Sequence, residues 1–155
     1  MPTSARLVSA VLLLAYVAAL AGVLMQYDAA VAITVVTGTE DWLASIGAPA
    51  AMTASGRVQF VLNAAMIVPP VFLASLLLPR HPWANWVVYG FLASCAVEMV
   101  QGLYLPPRSA EFADVVANTL GALGGALLAR LLIGLLERRA GSPDGPGPRL
   151  TSGRG

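Results

Sequence analysis

Four apolar runs, each long enough to cross a lipid bilayer, constrain this chain more than any other feature. The first extends from Leu7 to Met25 without a charge, and the second, Val58 to Leu78, is interrupted only by Gln59 and Asn63. The third, Trp83 to Leu105, contains Glu98 and Gln101, and the fourth, Phe112 to Leu136, contains Asp114, Asn118 and Arg130. A hydrocarbon core of about 30 Å takes about 20 helical residues. None of the four alternates polar and apolar side chains as a barrel strand does, so all read as helices. The expected fold is all-α: a polytopic membrane protein whose four transmembrane helices form an antiparallel bundle.

The remaining residues agree with a chain built for lipid. Only 11% of the 155 residues are charged, against about 25% in a soluble domain. All nine basic residues are arginines, and the net charge is +1. No basic run forms a nucleic-acid patch, so the expected partners are membrane lipids and not nucleic acid. Cys95 is the single cysteine, which excludes an internal disulfide framework and a multi-cysteine metal site. It reads as a small packing residue. No nucleophile elbow, phosphate-binding loop or zinc motif is present, and no cofactor or metal is expected.

Arginine placement sets the orientation. Arg6 precedes the first run, Arg80 lies between the second and third, and Arg138 and Arg139 follow the fourth; the other loops hold Asp28, Glu40, Asp41 and Glu111, with Arg57 and Arg108 at their edges. Positive charge stays in the cytoplasm, so both termini are expected there in a multi-pass protein of the cell membrane. Arg130 can snorkel to the same side. The transmembrane domain is expected over residues 1–140, and the Gly-, Pro- and Ser-rich residues 141–155 read as a disordered cytoplasmic tail. Arg6, the apolar run and Ala19-Leu20-Ala21 also resemble a cleavable signal peptide, but the run continues to Met25 and favours an uncleaved helix. In the long connection from Gln26 to Gly56, Thr37 and Glu40 have capping-box spacing, which predicts a short helix through Asp41-Trp42-Leu43 before Gly47. A lid over an outward-facing site is the functional alternative for that segment. His81, beside Pro82 in the turn, reads as a solvated side chain.

With that topology, the polar residues can be assigned depths. Glu98 lies two turns inside the outer end of its helix, about 10 Å at 1.5 Å per residue, with Gln101 one turn above it. Asp114 sits at the outer surface, Asn118 one turn deeper, and Asn63 at a similar depth on the second run. Asn63, Glu98, Gln101, Asp114 and Asn118 therefore gather in the outer half, with Arg57 and Arg108 at the rim. Ionisable groups in a membrane face the protein interior and find partners there. Two readings stay open. One is a hydrogen-bond network that joins the helices. The other is an outward pocket for an anionic or hydroxylated head group, with Glu98 and Asp114 as candidate catalytic carboxylates. Arg57, Asn63, Gln101, Arg108 and Asn118 are then the substrate-binding side chains. Lower on the fourth run, Ala117, Gly121, Gly125 and Ala129 recur every four residues. This stripe allows close helix packing, within the bundle or between copies in a homo-oligomer. Pro69 and Pro70 remove backbone donors and predict a kink.

Glu98-x-x-Gln101, Arg108 and Asp114-Val115-x-x-Asn118-Thr119-x-Gly121-x-x-Gly124 together resemble the signature of the VanZ-like family across its last two helices. Arg57-Val58-Gln59-Phe60-Val61-Leu62-Asn63, ahead of Pro69, is similar to that family's second-helix segment. One departure is Gln59, where a His commonly follows the basic residue. The resemblance spans roughly Arg57 to Gly125, includes Gly124 and Gly125 among the close-packing glycines, and implies a small membrane-embedded protein. The family takes its name from an accessory protein of glycopeptide-antibiotic resistance. The resemblance thus implies a cell-envelope role, with an anionic lipid-linked or glycan substrate bound or modified at the outer face. The rival expectation is a non-enzymatic scaffold whose polar cluster only holds the helices together.

Overall fold

The computed structural model describes residues 3–24, 30–104 and 111–140. The tail expected over residues 141–155, and Arg108, lie outside them. Five helices are present among the described residues: α1 (Thr3–Leu24), α2 (Ala30–Ser45), α3 (Ser55–Leu77), α4 (Trp83–Tyr104) and α5 (Phe112–Ala140). Four of them, all but α2, are long and apolar enough to span a membrane. The protein is thus an all-helical, multi-pass membrane protein, as the four apolar runs imply. Leu14 and Leu103, each 70% exposed, show how much of the apolar surface faces outward, as lipid-facing sides do.

The helices stand in the order α1, α3, α5, α4, with α2 against α3. Alpha5 therefore occupies the middle, between α3 and α4. Small residues permit this. Ala117, Ala122, Ala126 and Ala129 of α5 are fully buried, and among the described residues no large side chain is. Against α3, a Cβ on Gly121 falls within 3.0 Å of the Ala64 carbonyl oxygen, and one on Gly125 lies 2.6 Å from that of Val68. Residue numbers rise together along this contact, so α3 and α5 run parallel. Of the two placements open to the Gly121/Gly125 stripe, the bundle interior is the one it occupies. Gly124 differs: its Cβ would sit 3.6 Å from the Val68 side chain, an ordinary contact. On the α4 side, Ala122 packs directly on Gly90, and Asn118 hydrogen-bonds Ser94. Here one number rises as the other falls, so α4 and α5 are antiparallel.

Alpha3 continues as a helix through Pro69 and Pro70. Proline has no N–H, so the carbonyl of Met66, four residues before Pro70, loses its usual helical donor. The Tyr16 hydroxyl of α1 donates to that oxygen at 2.8 Å. In a medium without water every backbone acceptor needs an internal partner, and α1 supplies this one.

Alpha2 departs from expectation. It begins seven residues before Thr37, at Ala30, so Thr37 is no cap. Its hydroxyl donates back to the Ile33 carbonyl at 3.0 Å, a mid-helix bond open to Thr in any helix. The apolar, β-branched start of the segment carries no punctuating residue that would have revealed the longer helix. Its end matches the reading. Gly47 adopts φ +79°, and the amides of Gly47 and Ala48 donate to Ala44 and Leu43, each at 3.0 Å. This is a Schellman stop, which glycine makes without strain. His81 also differs from expectation. Its ring stacks on Tyr89, with centroids 5.6 Å apart, and meets Trp86 edge-on at 5.2 Å.

Candidate functional site

The ends of α3, α4 and α5 that share one side of the bundle carry their polar side chains into a single cavity of about 530 Å³, with α2 as its apolar wall. Asn63, Glu98, Gln101, Asp114 and Asn118 all line it. The structure thus brings together the five intramembrane polar residues that depth counting grouped. Helical spacing explains the convergence. Glu98 and Gln101 share a face of α4, and Asp114 and Asn118 share a face of α5.

Each polar group is held in place. Glu98 is buried, and its Oε2 accepts the Glu111 backbone N–H at 2.9 Å. Glu111 immediately precedes α5, so this carboxylate sits at a helix N-terminus, where free amides and the helix dipole favour negative charge. Asp114 faces the side-chain amides of Asn63 and Gln59, so the α5 carboxylate meets polar groups of α3. Asn118 donates from Nδ2 to Ser94 Oγ at 2.8 Å, while its Oδ1 is buried with no hydrogen-bond partner. Gln101 is buried on the same α4 face.

The two arginines of the expected rim fare differently. Arg57 is exposed and donates to the Ala51 carbonyl oxygen, closing its own loop; it does not line the cavity. Arg108 lies outside the described residues. Among the described residues that line the cavity, three are acidic (Glu98, Glu111 and Asp114) and none is basic. Gln59, Ser94 and Glu111 were not singled out from sequence as parts of this cluster. Two had a signal: Gln59 is one turn before Asn63, and Ser94 is one turn before Glu98, each on the polar face. Glu111 acts through its backbone amide, which no side-chain pattern reports.

The VanZ/LLP1 family profile matches residues 10–133, most of the chain and at least part of each of the four membrane-spanning helices. The chain belongs to the VanZ/LLP1 family. No curated protein and no solved structure matches it. The VanZ/LLP1 match covers every residue of the cavity, so the cluster belongs to the family's own region and not to an appended segment. Chemically, its lining carries the side-chain amides of Gln59, Asn63, Gln101 and Asn118 together with the carboxylates of Glu98, Glu111 and Asp114. That arrangement suits hydroxyl groups, each of which can donate to a carboxylate and accept from an amide. Among the described residues, no group of three or more His, Cys, Asp or Glu side chains is placed to hold a metal ion.

Proposed function

We propose that this VanZ/LLP1-family membrane protein serves the cell envelope by holding the hydroxylated, glycan-type head group of a lipid-linked substrate in the cavity between α2 and α5. The observation that carries the reading is the convergence of side-chain amides and carboxylates from three helices on one cavity with an apolar wall. Ligand sites combine a mostly apolar lining with a few placed polar groups, and an amphiphile needs both. The distribution of arginines supports an extracytoplasmic position for this end. Glu98 and Asp114 are the candidate acid–base pair if the bound group is also modified. A link to glycopeptide-antibiotic tolerance follows from the family resemblance alone.

A second reading has its own support. Glu98 bonds the Glu111 amide and Asn118 bonds Ser94, so the cluster also staples α4 to α5 as a scaffold would.

One paired experiment separates the two. Folded yield and co-purified glycolipid, identified by mass spectrometry, are measured for wild type, Asp114→Asn, Glu98→Gln and Glu98→Ala, alongside sensitivity to envelope-directed antibiotics. Binding predicts that Asp114→Asn and Glu98→Gln keep their folded yield but lose the glycolipid and the phenotype. Losses that only track folded yield, with Glu98→Ala worse than Glu98→Gln, leave the scaffold reading standing alone.

A further inference from the structure

A second cavity, of about 470 Å³, lies at the opposite end of the bundle, where α1 starts and α3 turns into α4. Arg6, Arg80 and His81 line it together with Leu76, Leu78 and Pro79, and no acidic residue does among the described residues. Both arginines are exposed, and neither has a carboxylate partner among the described residues. His81 is held by Tyr89 and Trp86, and its Nε2 is buried without a hydrogen-bond partner. A buried polar atom left unsatisfied in a folded protein asks for an explanation, and a ligand or water beside it is one. The surroundings are those of a membrane interface. Leu78 is 53% exposed and Trp83 is 42% exposed, a leucine for acyl chains next to an aromatic at head-group level.

We infer that this cavity binds the phosphate of an anionic membrane lipid, with Arg6 and Arg80 gripping the phosphoryl oxygens and the lipid's chains lying along Leu76 and Leu78. Guanidinium groups match phosphate geometry and give up hydration readily. Basic pockets between membrane helices bind such head groups. The two arginines come from different helical segments, the start of α1 and the α3–α4 turn. A bound phosphate therefore bridges α1 to the rest of the bundle.

The test is lipid titration of the full-length protein followed by native mass spectrometry. Phosphatidylglycerol is compared with phosphatidylcholine of the same chains and with inorganic phosphate. Each arginine near an anionic head group contributes about fivefold in affinity, so the Arg6→Gln/Arg80→Gln pair should weaken phosphatidylglycerol by roughly 25-fold. Arg138→Gln/Arg139→Gln, which removes the same charge at the same end but outside the cavity, should leave that affinity within about twofold. The single variant Arg80→Gln gives the same comparison if the double variant folds poorly. Equal binding of the two lipids overturns the inference, as does an equal loss in the Arg138/Arg139 pair. Inorganic phosphate bound as tightly as the lipid makes this a soluble-anion site and overturns it too.

Discussion

Gly121 offers the sharpest test of how this bundle is held. A Cβ added there falls within 3.0 Å of the Ala64 carbonyl oxygen and meets the Ala64 carbonyl carbon at 3.0 Å. Contact distances of about 3.5 Å are comfortable, so the α3 and α5 backbones must part by roughly 1 Å. No rotamer change can relieve the clash, because the obstacle is backbone. Overpacking costs typically about 1–3 kcal/mol, and this site belongs in the upper half of that range. Replacing glycine by alanine in a helix recovers about 1 kcal/mol of propensity, which leaves Gly121→Ala about 1–2 kcal/mol less stable than wild type. Gly124→Ala is the matched control: it gains the same propensity and meets only Val68 Cγ2 at 3.6 Å, so it should be neutral or stabilised. The difference between the two variants, about 2 kcal/mol, corresponds to roughly 30-fold in the folded-to-unfolded ratio. Reversible unfolding by sodium dodecyl sulfate in mixed micelles reads it directly. Gly121→Ala as stable as Gly124→Ala would refute the close approach of α3 and α5.

Gly90→Ala should destabilise in the same assay, since its new Cβ lands on that of Ala122, and Ala122→Gly should restore most of the loss by making room. Tyr16→Phe should cost about 0.6–1.7 kcal/mol, the range of measured membrane hydrogen bonds. In a Pro70→Ala background, where residue 70 supplies its own N–H to Met66, the same change should cost much less; an unchanged penalty would mean that the hydroxyl matters for another reason. A reporter fused after Arg139 should read cytoplasmic and one inserted between Ala48 and Thr53 extracytoplasmic, and a reversed result would remove the positional basis of the envelope reading.

The sequence made the membrane helices legible because hydropathy over twenty residues is a strong signal with one physical meaning. It also made most of the polar cavity legible. Because the sequence leaves so few residues between the third and fourth apolar runs, these must be antiparallel neighbours, depth follows from counting, and Asn63, Glu98, Gln101, Asp114 and Asn118 can be grouped from the sequence. Three features were harder to see. Arg57 looked like a rim residue by position, but a nearby carbonyl captured its guanidinium, and local hydrogen bonds of that sort leave no pattern. Alpha2 extends well beyond its expected start because nothing in Ala30–Val36 punctuates the chain. The α4 face of α5 was missed because Ala122 and Ala126 are too ordinary in a membrane helix to mark a contact; Gly90 on the partner was the better clue.

The bond from Glu98 to the Glu111 amide joins residues thirteen apart in the chain, and that ordering bears on how the protein enters the bilayer. During synthesis α4 emerges with Glu98 before the amide that donates to it exists. A carboxylate within a membrane helix costs up to about 3.5 kcal/mol on insertion, so α4 alone is a poor substrate for integration. Insertion then favours delivery of α4 and α5 as one hairpin, with the acid and the helix start already joined. A nascent chain truncated at Leu105 should integrate α4 incompletely, and one extended through Gly125 should integrate it well, as glycosylation mapping would record; equal integration at both lengths would mean that α4 enters the membrane unaided.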